Sequence, residues 1–322
     1  MPETPIDEPI DTIKGDAIAT AWRRAARRHQ AEWRAGHAWP AGTVTIPRSR
    51  EQREAGVPQK TRPIGSRIDF EYAKATSCNF LTPEAAAAVA FRLSPSGKQA
   101  HQTLDERRLY CDLLSSMPMC FNIFGPLWSN SELCTAAVEQ LFNDLVIPRQ
   151  KAAVTFEWSP GRRDAAYLGD RTAFDAAIHV GPRNGGHLIG IETKYHEYPI
   201  TERRANGEQP PARYVEVSER AGLFRAGSGL RHVWGTPLEQ IWRDHLLALA
   251  CQQHADESTK VRYVLIAPRA NAKWAELIEN YRAVLTEAAT ETVAYLALED
   301  LLDSGVLPHA EDLRARYIPT PV

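Results

Sequence analysis

Three charged residues in one short stretch have the types and spacing to hold a divalent cation beside a positioned water. Two alternating apolar runs, AFDAAIHV and HLIGIETKY, flank the turn-forming cluster GPRNGG. That is the pattern of a β-hairpin with strands over about 173–180 and 188–195. Folding it about its loop sets Asp175 close to opposite Glu192. Because side chains alternate along a strand, Glu192 and Lys194 project from one face, within reach of Asp175 on the neighbouring strand. The carboxylate oxygens could then hold a hard divalent cation, with the lysine polarising or positioning a water beside it.

The bland alternative is the solvated side of a half-buried sheet. Two features argue against it. Lys194 is the only lysine with an acid two positions before it, in a chain that otherwise prefers arginine. Asp175 stands between Phe174 and Ala176 in a run that reads as buried sheet, where an unpaired carboxylate is costly. A cation or the nearby lysine relieves that cost.

Neighbouring residues compete for supporting roles. His196 shares the alternation of Glu192 and Lys194, although a histidine at a strand end is more commonly solvated. Glu157, in FEW on an adjacent strand, could face the site or serve as an exposed cross-strand partner. Asp170, in LGDRT, reads as a turn or capping residue.

The elements that must position these residues follow from the rest of the chain. Its 322 residues suffice for one large domain or two modest ones. A net charge of -2 points to neither nucleic acid nor membrane, so a polyanionic partner would have to be met by local basic patches. The five cysteines form no Cys-x-x-Cys pair and no zinc-like spacing with histidine, which fits a reduced, cytoplasmic setting. No apolar run approaches a membrane span and the N-terminus has no signal-peptide core, so no membrane partner is expected.

Residues up to about Lys14 read as a poorly ordered acidic arm. A helix is expected from Asp16, as N-cap, to just before Gly36, with Trp22, Ala26, His29 and Trp33 as its apolar stripe and Arg23, Arg24, Arg27 and Arg28 on another side. Residues 37–75 look loop-rich. Thr82 before Pro83 starts a second helix, a helical segment follows near 101–116, and SSMPMCFNIFGPLW reads as core. Ser129 and Glu132 suit a capping box for a helix with the stripe Cys134, Val138, Leu141, Phe142 and Leu145. Glu139, at the margin of that stripe, could face solvent or a site.

KAAVTFEW over 151–158 reads as a strand before the hairpin. Residues 196–235 read as irregular and arginine-rich. Thr236, Pro237 and Glu239 suggest an N-cap, a first-turn proline and a capping-box acid for a helix over 237–252. Its buried stripe is Leu238, Ile241, Trp242, His245 and Leu249, with His245 a satisfied core histidine. A strand over 261–267, a helix near 272–288, a strand over 293–299 and a short helical end complete the chain. The helical crossover should make the strand over 261–267 parallel to one of the preceding three, giving an α/β sandwich around a mixed sheet.

This order of elements, with Asp175 and then Glu192-x-Lys194 on the next strand, resembles the core of the PD-(D/E)XK nuclease superfamily. More narrowly, SSMPMCFNIFGPL, GDRTAFDAAI and IETKYHE are similar to a bacterial family catalogued among restriction endonucleases. The resemblance implies a restriction-endonuclease-like α/β sandwich, with a central mixed sheet flanked by helices and a helical N-terminal extension. Residues 1–100 would form that loop-rich extension, packed on a nuclease-like domain over 101–322.

It also implies Asp175 and Glu192 as metal ligands and Lys194 as the residue that helps generate and orient the attacking water. Glu139 resembles an additional helix carboxylate found in many members, and Gln240 a glutamine seen on the helix after the catalytic strand in some branches. One departure is Phe174, where the literal signature has proline. The implied reaction is Mg²⁺-dependent phosphodiester hydrolysis, with Mn²⁺ able to substitute, on DNA, with RNA also open. Arg171, Arg203, Arg204 and other arginines of 196–235 would then contact phosphates. Cutting both strands would be easiest for a homodimer. The alternatives are a non-catalytic nucleic-acid-binding protein that keeps the fold, and an unrelated α/β hydrolase using Asp175 and Glu192 as a metal-free acid/base pair. No P-loop and no Gly-x-Ser-x-Gly turn is present.

Overall fold

The computed structural model describes residues 20–319 other than 143, 145–149, 183–184, 203, 206 and 256–257. The acidic arm, Asp16 and Leu145 lie outside the described residues. Helix α1 (Ala21–Gly36) starts at Thr20, whose side chain accepts a hydrogen bond from the Arg23 amide, and it includes Gly36. Its buried stripe is Trp22, Ala26, Arg27, Gln30 and Arg34, rotated from the expected one that included His29 and Trp33. Polar side chains cause the rotation, because they turn inward onto specific acceptors. Arg27 reaches Ser66 Oγ (3.2 Å) and Arg34 Nε reaches Gly65 O (2.9 Å). Arg27 therefore leaves the expected basic face.

Residues 37–75 are more ordered than their prolines suggest. Strand β1 (Ala41–Thr45) pairs antiparallel with β2 (Thr61–Ile68), and the short helices α2 (Arg50–Glu54) and α3 (Phe70–Thr76) lie between and after them. Pro63 sits inside β2, where a two-stranded sheet consists of edge strands that tolerate a missing donor. Helix α4 (Pro83–Leu93) begins at the expected Thr82 cap. Helix α5 (Glu106–Cys111) is shorter than the segment expected over 101–116. The apolar SSMPMCFNIFGPLW forms most of α6 (Ser116–Ser129), buried along nearly its whole length.

Helix α7 (Ser131–Leu141) is capped by Asn130, whose side chain accepts from the Glu132 and Leu133 amides, so the expected Ser129 box is displaced by one residue. The central sheet then forms from β3 (Ala152–Trp158), β4 (Phe174–Val180), β5 (His187–Thr193), β6 (Lys260–Ala267) and β7 (Val293–Ala297), in that spatial order. Strands β3, β4 and β5 are antiparallel neighbours, whereas β6 runs parallel to β5 and β7 parallel to β6. Between β5 and β6 lie α8 (Ala212–Arg220), in the stretch read as irregular, and α9 (Glu239–His254). Thr236 accepts from the Leu238 amide, but Glu239 turns back to the Gly235 amide, so the expected capping box does not close. Helices α10 (Lys273–Arg282), α11 (Glu287–Thr290), α12 (Leu298–Asp303) and α13 (Ala310–Tyr317) complete the order.

Each face of the sheet carries its own core. Ile178, Ile189, Ile191 and Val264 pack with α4, α6 and α7, and Trp22 of α1 and Tyr317 of α13 join the same cluster. Ala177, Leu188, Tyr263 and Leu265 face the other way, beneath Trp242 and Leu246 of α9 and Trp274 of α10. His245 is buried on that side, its ring nitrogens 3.0 Å from Tyr281 Oη and 2.7 Å from Thr292 Oγ1, as expected of a satisfied core histidine. Among the described residues no helix is long and apolar enough to cross a membrane.

Candidate active site

The site grows from the mouth of the β4–β5 hairpin. Ala176 pairs with Ile191, so one further step of the register brings Asp175 toward Glu192. There the backbone ladder gives way to a side chain. Asp175 Oδ2 accepts from both the amide (2.8 Å) and the hydroxyl (2.7 Å) of Thr193. Beyond the end of β5, the Lys194 amide still donates to Ile266 O of β6 (2.8 Å), which holds that residue in line. Glu192 Oε1 receives Lys194 Nζ at 2.7 Å and Gln240 Nε2, from the first turn of α9, at 3.0 Å. Asp175, Glu192, Lys194 and Gln240 all line one cavity of about 770 Å³.

Local packing explains the placement. A Cβ on Gly190 would lie 2.4 Å from the ring of Phe174, so only glycine lets that ring close over β5 next to Asp175. The segment after Lys194 is pinned from three sides. Tyr195 O accepts from Trp22 Nε1 (2.9 Å) and Asn271 Nδ2 (3.0 Å), and Tyr195 Oη accepts from Gln30 Nε2 (2.7 Å). Glu197 turns back to accept from the Ser116 amide and hydroxyl and from the Tyr195 amide.

Burial dominates the electrostatics. It pushes the Asp175 carboxyl up to about 8, reinforced by the charge of Glu192 and opposed by Lys194 and the Thr193 bonds. Burial likewise raises Glu192 to about 7, against the pull of Lys194. For Lys194 burial works downward, but the charges of Glu192 and Asp175 outweigh it and hold the ammonium above its ordinary range. Lys194 is therefore a proton-bearing cation at neutral pH. Two carboxyls with one shared ammonium, in a cavity whose lining is richer in acids than in bases, form a pocket short of positive charge.

A divalent cation fits that deficit. The donor set is hard oxygen, and such ions commonly bind through one or two carboxylates and retain water for the rest. Asp244, whose buried Oδ2 has no hydrogen-bond partner among the described residues, also lines the cavity. Among the described residues, no three Asp, Glu, His or Cys side chains already converge on a single ion position. The residues suited to holding the ion are thus the pair Asp175 and Glu192.

The remaining expected residues fall in different places. Glu157 lines the cavity, but its backbone is left-handed (φ 47°) and its carboxylate is tied to Arg162 Nη2 (2.9 Å) and Thr103 Oγ1 (2.9 Å). Such a conformation costs a non-glycine residue about 1–3 kcal/mol and is kept only where its surroundings enforce it. Glu139 is not brought to the cavity, because α7 packs on the sheet face opposite Glu192 and Lys194. His196 lies outside the cavity lining, 3.9 Å from Glu197. Asp170 is a turn acceptor for Thr172, as expected, and also receives Tyr214 Oη.

Arg171 is exposed and lines the cavity. Arg204 lines it too, where it is engaged by Glu202, Glu208 and Glu239 and lies over the Trp234 ring. Arg203 lies outside the described residues. Sequence reading missed Asp244 and Glu197 at the cavity. The available signal for Asp244 was its place one helical turn after Gln240, an acid amid the apolar stripe of α9.

Comparison with curated proteins and with solved structures gives no significant match. A family model described as the PD-(D/E)XK nuclease superfamily matches residues 17–319. The mixed five-stranded sheet between helical layers is consistent with the restriction-endonuclease-like fold of that superfamily. With nearly the whole chain matched, this protein belongs to the PD-(D/E)XK nuclease superfamily.

Proposed function

We propose that the protein is a divalent-metal-dependent DNA endonuclease that hydrolyses phosphodiester bonds. The observation that carries this reading is the convergence of Asp175 and Glu192 at the hairpin mouth, with Lys194 salt-bridged to Glu192 at 2.7 Å. Asp175 and Glu192 would hold the ion, Mg²⁺ or Mn²⁺, which supplies Lewis-acid polarisation of the phosphate and acidifies water. Thr193 fixes the Asp175 carboxyl through two hydrogen bonds, and Gln240 fixes that of Glu192.

Lys194 is a fixed positive charge rather than a proton acceptor. Its ammonium orients the attacking water and stabilises charge that builds on the phosphate oxygens. The cavity is acid-rich, so a polyanionic strand cannot settle there until cationic charge is supplied, which makes the reaction ion-dependent from the binding step onward. Arg171, exposed on the cavity wall, would take a flanking phosphate.

The test is cleavage of supercoiled and linear DNA by the full chain with Mg²⁺, with Mn²⁺ and with EDTA. Asp175→Asn and Lys194→Ala should each lower the rate by roughly 10²-fold or more. Cleavage at the wild-type rate in both variants sinks the assignment. Salt-sensitive DNA binding without turnover in any metal would favour the non-catalytic alternative.

A further inference from the structure

Asp244 is 96 % buried, since only 4 % of its surface is exposed, yet its Oδ2 has no hydrogen-bond partner among the described residues. Leaving a buried carboxylate oxygen unpaired costs about 1–3 kcal/mol or more, so such an atom ordinarily has an occupant to meet. Asp244 sits on α9 one turn beyond Gln240, the residue that grips Glu192, and it faces the same cavity as Asp175 and Glu192. The nearby cations are engaged elsewhere: Lys194 on Glu192, and Arg243 on Glu202 at 3.2 Å. Direct ligation does not suit it, because no three acids among the described residues converge on one ion position.

Resting on the metal-dependent reading above, we propose that Asp244 is an outer positioning residue. Its free Oδ2 accepts hydrogen bonds from the hydration shell of the divalent cation carried by Asp175 and Glu192. A small, strongly hydrated ion keeps several waters, and outer carboxylates that orient a metal's surroundings typically contribute 10–100-fold to affinity. Asp244 thereby fixes the α9 side of the shell, while Gln240, one turn earlier on the same helix, fixes the Glu192 ligand. One helix would set both the ion's position and the orientation of its waters.

Binding measurements on the full chain without DNA test this independently of cleavage. The probes are Mn²⁺, which binds through direct ligation and water, and hexamminecobalt(III), an inert mimic of a fully hydrated cation that binds only through hydrogen bonds from its ammines. Calorimetry should show hexamminecobalt(III) competing with Mn²⁺ on the wild type. Asp244→Asn should weaken both probes about tenfold or more while leaving the metal-free melting temperature unchanged or higher. Absence of competition on the wild type overturns the proposal, and it needs no variant to fold. Equal affinities in wild type and Asp244→Asn, with a lowered metal-free melting temperature, also overturn it. That outcome would assign Asp244 to an internal water bridge with the buried, unpartnered Tyr263 hydroxyl. Loss of Mn²⁺ binding in Asp175→Asn alongside unchanged binding in Asp244→Asn removes this proposal and leaves the nuclease reading standing. A wild type that binds no divalent ion removes both.

Discussion

Asp175 and Glu192 retain protons up to about pH 8 and 7 because burial penalises their charged forms. An ion that binds their carboxylates must expel those protons. Mn²⁺ affinity should therefore rise between pH 6 and 8, by about tenfold per pH unit for each proton expelled. Calorimetry in buffers of different ionisation enthalpy measures that release directly, and pH-independent affinity would contradict the placement of these groups. His245 behaves in the opposite sense. Burial lowers it to about 3, so it is neutral in the folded protein and charges on unfolding. Stability from this residue is intact above pH 6.5 and is lost as pH falls from there toward 3. Between pH 7 and 5 the loss should be on the order of 2 kcal/mol, read by urea denaturation, and His245→Gln should flatten that part of the profile.

At the scale of elements, the β4–β5 hairpin was the most legible part of the chain, and Gly190 shows how closely it is fitted. Gly190→Val would drive a side chain into the Phe174 ring and move Asp175 with it. The expected result is a loss of about 1–3 kcal/mol in stability, measured by thermal melting, with cleavage falling further than the stability loss explains. Alternation and turn residues exposed this hairpin because each strand sets an acid, Asp175 or Glu192, in a largely apolar run. The same reasoning found the α9 stripe and His245. It failed where polar groups turn inward: Arg27, Gln30 and Arg34 of α1 are buried on partners distant in sequence, which no local period reveals. Glu139 was placed by resemblance, whereas the sheet face that α7 covers is set by long-range packing. Asp244 was hidden because α9 is buried on most of its faces, so its stripe does not distinguish core from cavity.

Across the whole molecule, the first described helix braces the end of the site strand. Trp22 and Gln30 donate to the backbone and hydroxyl of Tyr195, the residue after Lys194, and Gln30 also donates to Arg316 O (2.7 Å) in α13. Trp22→Ala should cost about 3–5 kcal/mol. Gln30→Ala should remove less stability but lower cleavage without touching the cavity, which a DNA-nicking assay at a temperature where both variants are folded would register. Activity unchanged in Gln30→Ala would mean that the brace is dispensable for the site.

That brace joins segments made far apart in time on the ribosome. Trp22 and Gln30 emerge early, Lys194 and Tyr195 midway, and the α13 carbonyl that shares Gln30 only after about 120 further residues. The strand carrying the lysine thus cannot acquire its full support until α13 has been made. A nascent polypeptide that has not yet reached α13 would carry the acidic residues of the site yet lack its finished geometry.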